Sequence, residues 1–233
     1  MKNILFTLLL CLSFISCGKE DIEGTTSMVT LSFNQQIVSG NSMTRATNEF
    51  LEVIGEQTPK SLNVALKNLD TDKYFYCKSD ETITIPIGEY EISASKIDGA
   101  YIKTDNFSYY ENPVLKVDTF NVTIDDETQG IKLKAYYNCY AVFSLVSECK
   151  SCSFNTKYGD YYVGYFRDNA DITLTPYDDS EQFIETTFNF STTYDSNKVF
   201  AEYGKYYVLH PNKSDKTTPS FDITLNGMEG GEI

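Results

Sequence analysis

The feature that most constrains this fold is a series of short segments in which apolar and polar residues alternate. Residues 29–33 and 62–66 are clear examples, and a longer alternating segment covers 114–124. Such alternation places successive side chains on opposite faces of a β-strand. The segments recur roughly every 8 to 12 residues with turn-forming residues between them, which is typical of β-sandwiches and not of βαβ folds. We therefore predict an all-β protein.

The amino-acid composition also favours strands over helices. The chain contains 18 Tyr and 15 Phe but no Trp, and aromatic and β-branched residues are enriched in strands. No long window after Cys17 shows the sustained 3.6-residue apolar period of an amphipathic helix. We therefore expect strands throughout the mature chain.

The length of 233 residues allows one large β-sandwich or two smaller ones, each with its own core. Residues 125–130 break the alternation with turn-forming residues, and we place a domain boundary there. The predicted N-terminal sandwich covers 28–126, and the predicted C-terminal sandwich covers 131–233. Residues 138–146 are almost continuously apolar, which is typical of a central strand buried on both faces.

The N-terminus has the pattern of an export signal. Lys2 precedes an apolar run at 4–15, which has the length of a signal-peptide core and is too short to span a bilayer. Ser16 and Cys17 then resemble the cleavage site of bacterial lipoproteins, in which the cysteine thiol carries a diacylglycerol. We predict a lipoprotein signal peptide at 1–16 and a lipid on Cys17, the alternative being a plain secretory peptide with an accidental cysteine.

The residues after Cys17 suggest where the protein is delivered. Lys19, Glu20 and Asp21 resemble the export signal of Bacteroidetes surface lipoproteins, and the polar segment 17–27 reads as a flexible tether. Two or more lipid chains hold a protein durably on a membrane. We predict an outer-membrane protein that is anchored to lipid through Cys17 and faces the cell exterior.

The net charge restricts the partners. A formal charge of −14 argues against nucleic acid and anionic membranes, because both attract clusters of Lys and Arg. The acidity mainly keeps an extracellular protein soluble.

Four cysteines remain in the mature chain besides Cys17, and they are the candidates for disulfides: Cys77, Cys139, Cys149 and Cys152. An exported protein passes an oxidising compartment, where disulfides are permitted. The CxxC at 149–152 is either a structural bridge or two unpaired thiols, a redox centre, or part of a metal site. A redox centre normally has a βαβ context, and a zinc ribbon needs a second CxxC. The sequence has neither.

No catalytic constellation is evident. His210 is the single histidine and follows a predicted strand, and there is no Gly-x-Ser-x-Gly elbow. The carboxylate pairs at 125–126 and 178–179 suit calcium or a glycosidase in principle, but such pairs are usually turns. We predict a protein that is not an enzyme and has neither a cofactor nor a metal.

Two aromatic clusters, at 107–110 and 158–166, have two interpretations. Exposed rings would pack on sugars, whereas buried rings would form cross-strand pairs in a sandwich that lacks Trp. The second interpretation is the more common situation for tyrosines in such a fold.

Several motifs together resemble the fimbrillin-like lipoproteins of Bacteroidetes, the superfamily of major and minor fimbrial subunits. They are the lipidation signal around Cys17, the early strand at 29–33, the segment 43–47, and the turn at 85–92 that contains Pro86, Gly88 and Tyr90. In the turn, Pro would end an edge strand, Gly would supply an unusual φ, and Tyr would begin the next strand with a buried ring.

This resemblance implies an all-β chain of one or two tandem transthyretin- or immunoglobulin-like β-sandwich domains. For stalk subunits it also implies cleavage after an arginine, which removes the lipid and the first strand so that a neighbouring subunit's strand fills the groove. Arg45 is the candidate cleavage site here, the alternative being an ordinary arginine in a solvated loop. We predict an accessory, anchor or subunit in adhesion or fimbrial assembly; the alternative is a carbohydrate-binding lipoprotein of a glycan-uptake system.

Overall fold

The structure is a computed structural model that describes residues 27–38, 48–177, 183–213 and 224–227. Apart from one helix, the regular elements of these residues are strands. In chain order they are β1 (Met28–Ile37), α1 (Asn48–Gln57), β2 (Asn63–Asn68), β3 (Tyr74–Lys78), β4 (Ile83–Pro86), β5 (Gly88–Ile97), β6 (Tyr101–Lys103), β7 (Ser108–Tyr110), β8 (Val114–Ile124), β9 (Gly130–Tyr137), β10 (Tyr140–Leu145), β11 (Ser151–Cys152), β12 (Lys157–Tyr158), β13 (Tyr161–Phe166), β14 (Ala170–Thr175), β15 (Phe183–Ile184), β16 (Thr186–Ser191), β17 (Val199–Phe200), β18 (Lys205–Leu209), β19 (Asn212–Lys213) and β20 (Thr224–Gly227).

The strands form three larger sheets. The first sheet has the order β3-β2-β5-β8-β9-β1-β4, and the central sheet has the order β20-β18-β10-β13-β7-β6 with β12 beside β13. The third sheet has the order β11-β14-β16-β17, and β15 and β19 form a separate pair. The prediction of an all-β sandwich fold is confirmed.

The first core lies between the first sheet and one face of the central sheet. The first sheet contributes alternate side chains such as Val64 and Leu66, and the central sheet contributes Phe143 and Val163. Alternation along each strand of the first sheet therefore leaves its other face to solvent. Burying such apolar side chains stabilises the fold by about 1.5–3 kcal/mol each.

The second core lies between the opposite face of the central sheet and the third sheet. The central sheet contributes Tyr140, Val142 and Phe166, while the third sheet contributes Ile172 and Phe190. Every residue of β13 is buried, and β10 is buried from Tyr140 to Ser144. The prediction of a central strand buried on both faces at 138–146 is therefore confirmed.

The helix α1 was not predicted. It packs on the first core through Phe50, Val53 and Ile54, whose spacing is the i, i+3, i+4 pattern of a helix face. The ring of Phe50 lies 5.0 Å from the rings of Phe143 and Tyr161. The expectation of strands throughout the chain is wrong here, because α1 is too short to produce a sustained periodic window.

The turn between β4 and β5 has the predicted geometry. The edge strand β4 ends at Pro86, and Gly88 has a φ of +152°, a conformation that L side chains rarely adopt. Tyr90 is fully buried, and its hydroxyl donates a hydrogen bond of 2.8 Å to the carbonyl of Pro86. The turn is thus fixed by its backbone and by the ring that follows it.

The chain passes from the first sheet to the central sheet after Tyr137. The strand β9 pairs in parallel with β1 and antiparallel with β8, so it belongs to the first sheet, whereas β10 belongs to the central sheet. The short strands β6 and β7 also lie in the central sheet, although they precede β8 in the chain. The division into domains at 28–126 and 131–233 stays a prediction.

We expect Phe143→Ala to lower the free energy of unfolding by about 3–5 kcal/mol, because it removes a large ring from a closely packed core. Phe143 is fully buried, and its ring lies 5.9 Å from that of Tyr206. The matched control is Tyr194→Ala, because Tyr194 is 84% exposed and surface changes usually stay within about 0.5 kcal/mol. Urea denaturation measures both variants, and similar losses for the two would contradict this packing.

Candidate functional site

An open cleft lies on the solvent face of the first sheet. Its volume is about 430 Å³. It is lined by outward-facing side chains and also by neighbouring core residues such as Val64 and Ala94. We call it the outer cleft. Its lining consists of Asn63, Ala65, Tyr76, Ser93, Ser95, Lys116, Thr119, Asn138 and Arg167, together with the apolar residues Val64, Ala94, Ile97, Val114, Leu115 and Val117.

The register of the strands forms the floor of the outer cleft. Tyr76 on β3 lies opposite Ala65 on β2, which in turn lies opposite Ser93 on β5. Neighbouring strands are about 4.8 Å apart, so the small side chains of Ala65 and Ser93 leave a trough beside the tyrosine. Two residues further along the same antiparallel pair of strands, Asn63 lies opposite Ser95.

A β-bulge forms the far side of this trough. Ile92 pairs with Phe120 but Ala94 pairs with Val117, so two residues of β8, Asp118 and Thr119, stand opposite Ser93. A bulge bends its strand and redirects a side chain, and bulges are common beside binding sites. At this bulge, Thr119 of β8 lines the cleft.

Two exposed tyrosines stand on the edge strand β3. Tyr74 is 54% exposed and Tyr76 is 71% exposed. Their rings are almost parallel, with an interplanar angle of 8° and centroids 6.0 Å apart. Because residues two apart on a strand share a face, the pair forms an aromatic surface beside the cleft.

The cations of the outer cleft are Lys116 and Arg167, and no Asp or Glu lines it. Arg167 directly follows β13, and its carbonyl accepts a hydrogen bond of 2.6 Å from the hydroxyl of Tyr203. Within the described ranges, the buried Nε of Arg167 has no hydrogen-bond partner. A buried donor without a partner costs free energy.

The two aromatic clusters considered from the sequence are largely core. Tyr161, Tyr162, Tyr165 and Phe166 are buried on β13, and Tyr109 is 2% exposed. Their interpretation as cross-strand and core contacts is confirmed. The exposed pair Tyr74 and Tyr76 was missed, although aromatic residues at three successive positions, 74–76, cannot all face one core.

The four cysteines are free thiols in the structure. Burial raises the pKa of Cys139 and of Cys152 to about 12 and that of Cys77 to about 11. Burial also raises the pKa of Cys149, whose Sγ lies 3.5 Å from the hydroxyl of Ser144. Thiols with raised pKa values are weak nucleophiles. The disulfide candidates stay a prediction.

The remaining chemical candidates have structural partners. His210 Nδ1 lies 2.6 Å from a carboxylate oxygen of Glu148. The carboxylate of Asp125 accepts hydrogen bonds from the Thr128 hydroxyl and the Glu127 amide, and the Thr128 bond lowers its pKa. This is a closed turn. In the part of the chain that the structure covers, no three His, Cys, Asp or Glu residues gather as a metal site would require.

Several predicted residues lie outside the described residues. They are the lipidation residue Cys17, the export residues Lys19, Glu20 and Asp21, the cleavage candidate Arg45 and the carboxylate pair at 178–179. These assignments stay predictions.

Comparisons with known proteins identify no family. No protein-family model matches the chain, and no curated protein matches it significantly. Among solved structures, a candidate adhesin from Bacteroides ovatus has 10% sequence identity and a TM-score of 0.34, with 74% of this chain and 86% of that chain covered.

Two further solved structures have similar values. A candidate cell adhesion protein from Bacteroides eggerthii has 9% identity and a TM-score of 0.35, with 86% of this chain and 94% of that chain covered. A candidate cell adhesion protein from Bacteroides fragilis has 7% identity and a TM-score of 0.34, with 85% and 97% covered. At these values the likeness assigns neither a family nor a function to this chain.

We expect the buried thiols to resist alkylation in the folded, reduced protein at pH 8. With pKa values of about 12 for Cys139 and Cys152 and about 11 for Cys77, little thiolate is present, and the rate at Cys77 rises about tenfold per pH unit below its pKa. Timed iodoacetamide labelling with mass mapping measures this, and Cys77→Ser identifies that site. Labelling of Cys139 as fast as in urea would contradict the burial.

Proposed function

We propose that this chain is a lipid-anchored surface protein that acts in adhesion by holding a ligand in the outer cleft, without catalysing a reaction. The observation that carries the proposal is the outer cleft itself. It lies on the face of the first sheet that points away from both cores, and it combines the exposed ring of Tyr76 with polar and cationic side chains, while Tyr74 stacks on Tyr76 beside it. Contiguous exposed apolar surface rimmed by polar residues is a feature of interaction sites.

The route from the membrane to the cleft supports display at the surface. In this proposal the lipid on Cys17 and the polar tether at 17–27 lead directly into β1. This strand pairs with β4 through 28–31 and with β9 through 32–37, so a pull on the tether is resisted by two hydrogen-bonded neighbours. The one helix among the described residues, α1, is not long and apolar enough to cross a membrane.

The surroundings of the reactive side chains support binding without catalysis. The cysteine thiols are half-buried or buried with raised pKa values, and His210 is engaged by Glu148. Neither arrangement supplies an activated nucleophile next to a base, which acyl transfer would require.

A second candidate function is that of a subunit joined to its neighbours by strand addition. The observation that favours it is the position of β1 between β4 and β9 in the first sheet. Cleavage after Arg45 would release β1 and leave the edge of β9 unpaired along 130–135. An unpaired edge offers backbone hydrogen bonds to an incoming strand.

The experiment compares cells producing the wild-type protein, cells producing Cys17→Ala and cells without the gene. We expect labelled fatty acid on the wild-type protein, antibody staining on intact cells, and attachment to mucin-coated glass under flow. Cys17→Ala should lose the label, the surface staining and the attachment, because a protein without lipid chains is not retained on a membrane.

Attachment that is unchanged without the gene would overturn the proposed function. N-terminal sequencing of the same cell-derived protein separates the two candidates. A start at Cys17 supports a protein that keeps its anchor, and a start at Ala46 supports the strand-joined subunit.

A further inference from the structure

The charge of the outer cleft is opposite to that of the whole protein. The chain carries 33 Asp and Glu against 19 Lys and Arg, yet the charged residues that line the cleft are Lys116 and Arg167. The nearest carboxylate along β8, that of Asp118, accepts a hydrogen bond of 2.7 Å from the hydroxyl of Tyr136. This local reversal favours a ligand that carries negative charge.

Arg167 supplies the most specific contact available in the cleft. A guanidinium is planar and presents donors in a fixed fork, which matches the two oxygens of a carboxylate. Arg167 lines the cleft, so a carboxylate bound there would gain charge-assisted hydrogen bonds from the guanidinium.

The aromatic and polar side chains indicate what carries the carboxylate. The exposed ring of Tyr76 offers a flat apolar surface on which the C–H face of a sugar ring packs. Beside it, the amide of Asn63 can both donate and accept, as can the hydroxyls of Ser93 and Thr119. A simple inorganic anion would use the cations and the hydroxyls but not the ring.

We infer that the outer cleft binds an acidic saccharide, with a sugar ring against Tyr76 and its carboxylate at Arg167 and Lys116. The inference rests on the proposed function and names the ligand class of the same site. The cleft volume of about 430 Å³ lies within the range of about 300 to 1,000 Å³ that is usual for ligand pockets. One or two sugar rings of an acidic chain fit such a volume, and the open cleft leaves the rest in solvent.

The test uses the full lipoprotein in detergent micelles. A glycan array with neutral, uronic-acid and sialic-acid members comes first, and calorimetric titration of the best acidic member and its carboxyl-reduced form follows. We expect binding to acidic members, and an affinity about tenfold lower for the carboxyl-reduced form.

The variants are Tyr76→Ala and Arg167→Gln, each of which should weaken binding by about tenfold or more. The matched controls are Tyr194→Ala, in an exposed tyrosine away from the cleft, and Lys103→Gln, in an exposed lysine on β6. Both controls should bind as the wild type does. Thermal melting of every variant checks the fold, and Tyr76→Ala is expected to keep it because Tyr76 is 71% exposed.

The inference would be overturned if no acidic saccharide binds, if the carboxyl-reduced form binds equally well, or if the cleft variants bind like the controls. A polyglutamate peptide or inorganic phosphate that binds as tightly would also overturn it. If cells attach through the protein while Tyr76→Ala and Arg167→Gln leave attachment unchanged, the inference of an acidic saccharide ligand is wrong but the proposed role in adhesion is not contradicted. If attachment does not require the protein, the proposed function itself fails.

Discussion

The rest of the structure depends on the burial of the central sheet on both of its faces. Its strands β10 and β13 have no solvent-facing side, so their side chains are almost all apolar or aromatic. Such a sheet requires a covering layer on each side, and the first and third sheets supply these layers. Because the first sheet covers the core with one face, its other face is free to vary, and the outer cleft lies there.

Tyrosines provide the bulk of these cores without Trp, and their hydroxyls must find partners when the rings are buried. Tyr165 donates a hydrogen bond of 2.6 Å to Gln57 at the end of α1, and Tyr137 lies 2.9 Å from the hydroxyl of Thr58. Burial raises the pKa of Tyr137 and of Tyr165, so both stay protonated. These contacts join α1 to both the first and the central sheet, which explains why one short helix persists in a β protein.

Structural features that depend on residues close together in the sequence could be predicted, whereas features that depend on pairing between distant segments could not. Alternation identified the strands, the apolar run at 138–146 identified the doubly buried strand, and the residues of the turn around Gly88 identified its geometry. The pairing of β1 with β4 on one half and β9 on the other joins segments far apart in the chain. The outer cleft could not be predicted for the same reason. Tyr76 and Ser93 come together through strand register, and Arg167 joins them from the position after β13 of the central sheet.

The central claim is that the doubly buried sheet holds the molecule together, and amide hydrogen exchange followed by mass spectrometry tests it most directly. Amides buried in a core exchange only by global unfolding, whereas those at sheet edges exchange by local opening. The account predicts that peptides from β10 and β13 exchange last and at one common rate, while the edge strand β3 exchanges much earlier. Exchange of β10 as fast as that of β3 would contradict the account.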